Sequence, residues 1–200
     1  MITPEQILNA KILIIEDDKA SRVLLKNILL TAGFSHIRCL PNATRFTKVY
    51  RSYFPDLLLL DVSLPKINGF DVMNRLRREY PEDYLPIIII SSDSNDVHLR
   101  ALSAGAKDFI AKPYDRSKVI LRCRNLIETN LLHNAVKGQN KNLSLIVQER
   151  TAELHQSRLD VIRRLGYAAE FRDTDTGDHI IRMSRYCEEL ARSLGLNDEE

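Results

Sequence analysis

Five short apolar runs alternate along the chain with stretches whose apolar positions recur every three or four residues. The runs are Lys11–Ile15, His36–Leu40, Leu57–Leu60, Pro86–Ile90 and Lys107–Ala111. Consecutive Leu and Ile without polar alternation in the first, third and fourth runs suits strands covered on both faces, as in a parallel sheet, while His36–Leu40 is a weaker strand signal. Between the runs, Ala20–Thr31, Ala43–Tyr53, Phe70–Glu79 and Asp96–Ala104 read as helices. Val23, Leu24 and Ile28 stand at helical spacing in the first, and Phe46, Val49 and Tyr50 share one side of the second. Gly33 and Gly105 stop two of these helices, and Pro81 ends a third. Asp115 or Ser117 is placed to cap the next one. The alternation predicts an α/β domain with a five-stranded, doubly wound parallel sheet and helices on both faces.

From about Arg116 the pattern changes. No strand signal and no proline occurs from there to Glu200. Val136, Asn140, Leu143, Val147, Arg150, Leu154, Ser157 and Val161 step alternately by four and three, a heptad register with three polar seam positions. Two arrangements satisfy it: a coiled coil between two chains, or one amphipathic helix folded back on its own domain. The coiled coil is expected to be a parallel homodimer, which places two first domains at one end. The expected division is a first domain over 1–130, a helical linker over 131–165 and a short helical piece over 166–200.

Bulk properties narrow the function. Two hundred residues allow one domain and part of a second. A net charge of +2 gives no basis for nucleic-acid binding. The longest apolar runs are too short to span a bilayer, and no signal-peptide pattern opens the chain. Three cysteines, Cys39, Cys123 and Cys187, lie far apart without a CxxC pair. They suit reduced thiols and a cytoplasmic location.

The candidate chemistry gathers at the strand ends. Glu16 and Asp17 follow the first strand, Asp61 ends the third, Ser91 the fourth, and Lys112 the fifth. In a parallel sheet all these ends share one rim, where open α/β sheets place their sites. Asp61 by itself has a second reading, the start of the turn through Pro65 and Gly69. Three clustered carboxylates repel one another unless a cation joins them, and an oxygen-only set suits Mg²⁺. A carboxylate can act as nucleophile and form an acyl phosphate. The Lys112 ammonium and Ser91 hydroxyl would then meet the charge on the transferred phosphoryl oxygens.

Residues 10–130 resemble the receiver domain of two-component response regulators, a flavodoxin-like fold. The matching segments are Ile12–Asp18, Leu59–Gly69, Ile89–Ser92, Ala104–Ala106 and Phe109–Tyr114. The resemblance implies that Asp61 accepts phosphate from a sensor histidine kinase. It implies that Glu16, Asp17, Asp61 and the backbone carbonyl of Ser63 bind Mg²⁺, and that Ser91 and Phe109 form the switch pair beside Lys112. Glu16 stands where many members carry Asp, and Ser91 where many carry Thr.

The tail has its own pattern. Asp175 and His179 lie four apart, one helix face as metal ligands would need, or an ordinary helix start with Asp175 or Thr176 as cap. The string Tyr167–Tyr186 resembles the opening of an HD-GYP domain, a metal-dependent phosphodiesterase of cyclic di-GMP. That resemblance implies Asp175 and His179 as metal ligands, with Fe- or Mn-type divalent metals in the complete domain. The sequence reaches Glu200 before any His-Asp doublet or Gly-Tyr-Pro motif. The piece is therefore expected to be inactive alone, with cyclic di-GMP a substrate of a longer parent only. Two other readings stand beside this one: an interaction switch with a helical scaffold, and a regulator of a diguanylate cyclase.

Overall fold

In the computed structural model, which describes residues 2–65, 67–81, 83–92, 95–170 and 177–193, the chain divides into two compact units, Met1–Gly138 and Gln139–Glu200. The first holds five parallel strands: β1 (Lys11–Ile15), β2 (His36–Leu40), β3 (Leu57–Asp61), β4 (Ile87–Ser91) and β5 (Asp108–Ala111). Their order is β2-β1-β3-β4-β5, so the chain reverses its direction of growth between β1 and β3. That reversal opens a crevice at the carboxyl ends of those two strands.

The apolar runs are strands because both faces are covered. Leu13, Ile15, Leu58, Leu60 and Ile89 point to one side. There they meet Phe46 and Tyr50 of α3 (Phe46–Tyr53), Val72, Met73 and Leu76 of α4 (Gly69–Glu79) and Ala101 of α5 (Asn95–Ser103). Ile12, Ile14, Leu57, Leu59, Ile88 and Ile90 point to the other. They meet Leu25, Ile28 and Leu29 of α2 (Lys19–Thr31) and Val119, Cys123 and Ile127 of α6 (Arg116–Glu170). Alternate residues of one strand thus feed two cores.

Several elements differ from the sequence reading. In α2 the buried stripe is Leu25, Ile28 and Leu29, whereas Val23 and Leu24 face outward. Apolar residues at 23, 24, 25, 28, 29 and 30 offer two helical faces, and only contact with the sheet decides between them. The third helix begins as a 3₁₀ turn, Ala43–Arg45, capped by Asn42. A short helix α1 (Pro4–Leu8), absent from the reading above, precedes β1. Its signal was present: Thr3 and Gln6 form a capping box around Pro4. Asp115 caps α6, accepting from the backbone N–H groups of Ser117 and Lys118.

Helix α6 runs unbroken over 55 residues. Its first part is core of the first unit, and Asn130 there buries its amide, donating to the Asp56 carbonyl oxygen at 2.9 Å. Along the second unit the heptad residues Leu143, Val147, Leu154 and Val161 are all more than half exposed. A helix α7 (Gly177–Ser193) completes the described residues. Among these, no helix is long and apolar enough to cross a membrane.

Burial separates the cysteines chemically. Cys123 is fully buried, and burial pushes its thiol up to about 12, whereas Cys187 is exposed. Because the thiolate is the nucleophile, Ellman's reagent at about pH 8, near the ordinary thiol range, should modify Cys187 rapidly in the native protein. Cys123 should react only through unfolding, and mass mapping along a urea series should show its modification rising with the unfolding transition.

Candidate functional site

Three strand ends and two loops build the site. Glu16 follows β1, and its carboxylate is fully buried. Asp17 beside it is exposed. Asp61 closes β3 and is 2% exposed. Carboxylate oxygens of Glu16, Asp17 and Asp61 all lie within 4.8 Å of one another. The Lys112 ammonium, just past β5, enters this cluster. It lies 2.5 Å from Asp61 Oδ2, 3.0 Å from Glu16 Oε1 and 2.8 Å from Glu16 Oε2. Asp61 Oδ1 accepts from the Ser63 backbone N–H at 2.7 Å.

The loops are held by contacts that spacing does not announce. Arg22 reaches back from α2 and donates to the carbonyl oxygens of Glu16 and Asp17, at 2.6 and 3.0 Å. Asp18 caps α2 by accepting from Ser21 N–H at 2.8 Å, which holds its carboxyl below the usual range. The Tyr114 hydroxyl donates to Glu16 Oε2 at 3.2 Å. Arg22 and Tyr114 were missed in the sequence. Tyr114 lies 98 positions from its partner, and only the fold joins them.

Gly69 sets the closeness of α4 to β3. A Cβ there would lie 2.6 Å from the Asp61 carbonyl oxygen and 3.0 Å from Val62 Cα. Both are backbone atoms and cannot swing aside. Asn68 caps the helix in a box with Asp71, and Gly69 N–H donates to the Val62 carbonyl at 3.1 Å. The loop that carries Ser63 is thereby pinned at both ends.

Electrostatics follow from burial. The Glu16 carboxyl is pushed above its usual range by burial; the Asp61 charge adds to this, and the Lys112 hydrogen bond opposes it. Burial pulls the Lys112 ammonium down, but hydrogen bonds to Asp61 and Glu16 outweigh it and leave its pKa raised. Burial and the Glu16 charge raise Tyr114. Three carboxylates face one ammonium, so the cluster keeps an excess of negative charge. With oxygen donors only, it suits a hard divalent cation.

The remaining candidates fall in two places. Ser91 ends β4 and is buried at the same rim, its carbonyl accepting from Lys112 N–H at 2.9 Å. Phe109 pairs with Ile89 across β4 and β5, while Ser91 pairs with Ala111. Phe109 and Ser91 are therefore diagonal neighbours on one face, and Phe109 packs against the core beneath. Asp175 lies outside the described residues, and His179 falls in α7, where its side chain is not described.

Known proteins with this arrangement decide the family. Residues 12–124 match the model of the response regulator receiver domain. The chain belongs to this family. It is a receiver domain of a two-component response regulator, followed by further helix. Among curated relatives, a Vibrio cholerae protein named "Probable cyclic di-GMP phosphodiesterase" is 26% identical over 197 residues, 98% of this chain and 44% of the relative. The cyclic di-GMP phosphodiesterase response regulator RpfG of Xanthomonas campestris is 33% identical over 146 residues, 72% of this chain and 39% of that protein. The chain thus spans under half the length of these two relatives. A response regulator structure from Chloroflexus aurantiacus superposes on 60% of the chain with a TM-score of 0.57 and 26% identity, covering 98% of that structure. The five-stranded parallel sheet expected from the alternation is the receiver fold.

Gly69→Ala gives a direct test of the packed loop. Overpacking against immovable backbone should cost on the order of 1–3 kcal/mol, read as a lower urea midpoint. The Ser63 and Asp61 amide resonances should shift more than those of β2.

Proposed function

We propose that this receiver accepts a phosphoryl group on Asp61 from a sensor histidine kinase. The observation that supports it most is the Lys112 ammonium at 2.5 Å from Asp61, between that carboxylate and Glu16, at the rim shared with Ser91. An Asp61 oxygen bonds to phosphorus as the bond to the donor's imidazole nitrogen breaks, and that nitrogen keeps the electron pair. Lys112 then faces the phosphoryl oxygens, and the Ser91 hydroxyl donates to another of them. Glu16, Asp17, Asp61 and the Ser63 carbonyl would hold Mg²⁺, which supplies counter-charge for the transferred group. Phe109, diagonal to Ser91, follows the hydroxyl inward.

The readout is α6. Residues 131–165 form a parallel homodimeric coiled coil, supported by heptad side chains that one chain leaves bare. Residues 166–200 begin an HD-GYP-type output, supported by a match to the Vibrio cholerae phosphodiesterase that covers 98% of the chain. Cyclic di-GMP and Fe- or Mn-type metals go with that HD-GYP-type reading, with Asp175 and His179 among the metal ligands. A two-metal site needs further ligands beyond these two. The protein works in the cytoplasm, without nucleic acid or membrane as partner.

Acetyl phosphate with Mg²⁺ should add one phosphate to the wild-type protein by intact mass. Asp61→Asn should take up none, and uptake equal to wild type would end the assignment. Lys112→Ala should be phosphorylated at least about ten-fold more slowly, because a charged donor at the developing charge is gone.

Oligomeric state has its own test. Leu143→Asp combined with Leu154→Asp should halve the mass seen by light scattering while leaving Asp61 phosphorylation intact. Spin labels at Ser144 should lie close together in the wild-type dimer. A monomeric wild-type mass at high concentration would remove the coiled coil.

A further inference from the structure

The acid cluster contains two buried carboxylates and one ammonium that serves both. Lys112 bonds Asp61 and Glu16 together. A phosphoryl group or a cation at Asp61 competes for that ammonium, so Lys112 cannot be the constant restraint on Glu16. Glu has one more rotatable bond than Asp, and a fully buried carboxylate needs fixed donors. Two donors to Glu16 are not shared with Asp61. One is the Asp18 backbone N–H, at 3.3 Å from Oε1. The other is the Tyr114 hydroxyl, at 3.2 Å from Oε2. Tyr114 packs against the core on the α2 and α6 side of the sheet, so its ring is held while its hydroxyl reaches the cluster.

We propose that Tyr114 is a positioning residue for the cation site. Its hydroxyl holds Glu16 Oε2 and fixes the rotamer that presents the other oxygen toward Asp17 and Asp61. The inference rests on the reading of this cluster as a Mg²⁺ site. It assigns a role to the residue just past Lys112–Pro113, which that reading leaves unused. The hydroxyl matters because position 16 is Glu; the shorter Asp side chain would draw the carboxylate back from Tyr114.

A double-substitution cycle tests this. Mg²⁺ is titrated into the full chain while the amide resonances of Glu16, Asp17, Asp18 and Ser63 are followed by NMR. Four proteins are compared: wild type, Tyr114→Phe, Glu16→Asp and the double variant. Thermal melts and circular dichroism establish that each is folded, and Tyr→Phe removes a single oxygen atom. Tyr114→Phe should weaken Mg²⁺ about five-fold, or ~1 kcal/mol, the scale of one side-chain hydrogen bond. In the Glu16→Asp background the same change should have no effect. Equal Mg²⁺ affinity in wild type and Tyr114→Phe overturns the proposal. So does an equal loss in both backgrounds, which would mean a general packing effect. A wild-type protein whose resonances ignore Mg²⁺ removes the cation reading, and this inference with it.

Discussion

One ammonium lets this site exist. Glu16 and Asp61 are both buried, and two ionised carboxylates so close in a dry environment repel strongly. The Lys112 contact at 2.5 Å to Asp61, with both Glu16 oxygens near 3 Å, offsets that repulsion. The compensation is incomplete, because Asp17 adds a third negative charge to the cluster. An oxygen-only set of this kind is the type that suits a hard divalent cation. The rest of the domain serves to bring β1, β3 and β5 to one rim so that these three residues meet.

Much of this arrangement could be read along the chain. Four of the five strand runs end at a residue that the rim uses, so Glu16, Asp61, Ser91 and Lys112 were visible as punctuation after apolar stretches. Parallel order then makes their meeting unavoidable. The residues that escaped are those whose partners are set by the fold. Tyr114 shows no partner along the chain, because Glu16 follows β1 and β5 is separated from β1 by two strands in the sheet. Arg22 reads as a surface cation on α2, yet it donates to two loop carbonyls. The facing of α2 escaped for a different reason: its apolar stripe is broad, and Val23 and Leu24 fit a helical face as well as Leu25 and Leu29 do.

The site is rigid where chemistry needs fixed atoms. Ser63 N–H on Asp61, Gly69 against the end of β3 and Arg22 on the acidic loop all restrain backbone. Phe109 differs, being half-buried and packed at the margin of the core.

Asn130 carries a consequence for where the domain physically ends. The sequence match to receivers stops at residue 124, but Ile127 is fully buried and Leu131 still packs on the sheet. Asn130 between them donates to the Asp56 carbonyl, just before β3. A protein shortened to residue 124 would uncover the Leu57 and Leu59 side of the central strand and orphan that carbonyl. The smallest self-sufficient fragment is thus longer than its recognisable one by about two helical turns, and a chimera joined at the shorter boundary would inherit an unfinished core.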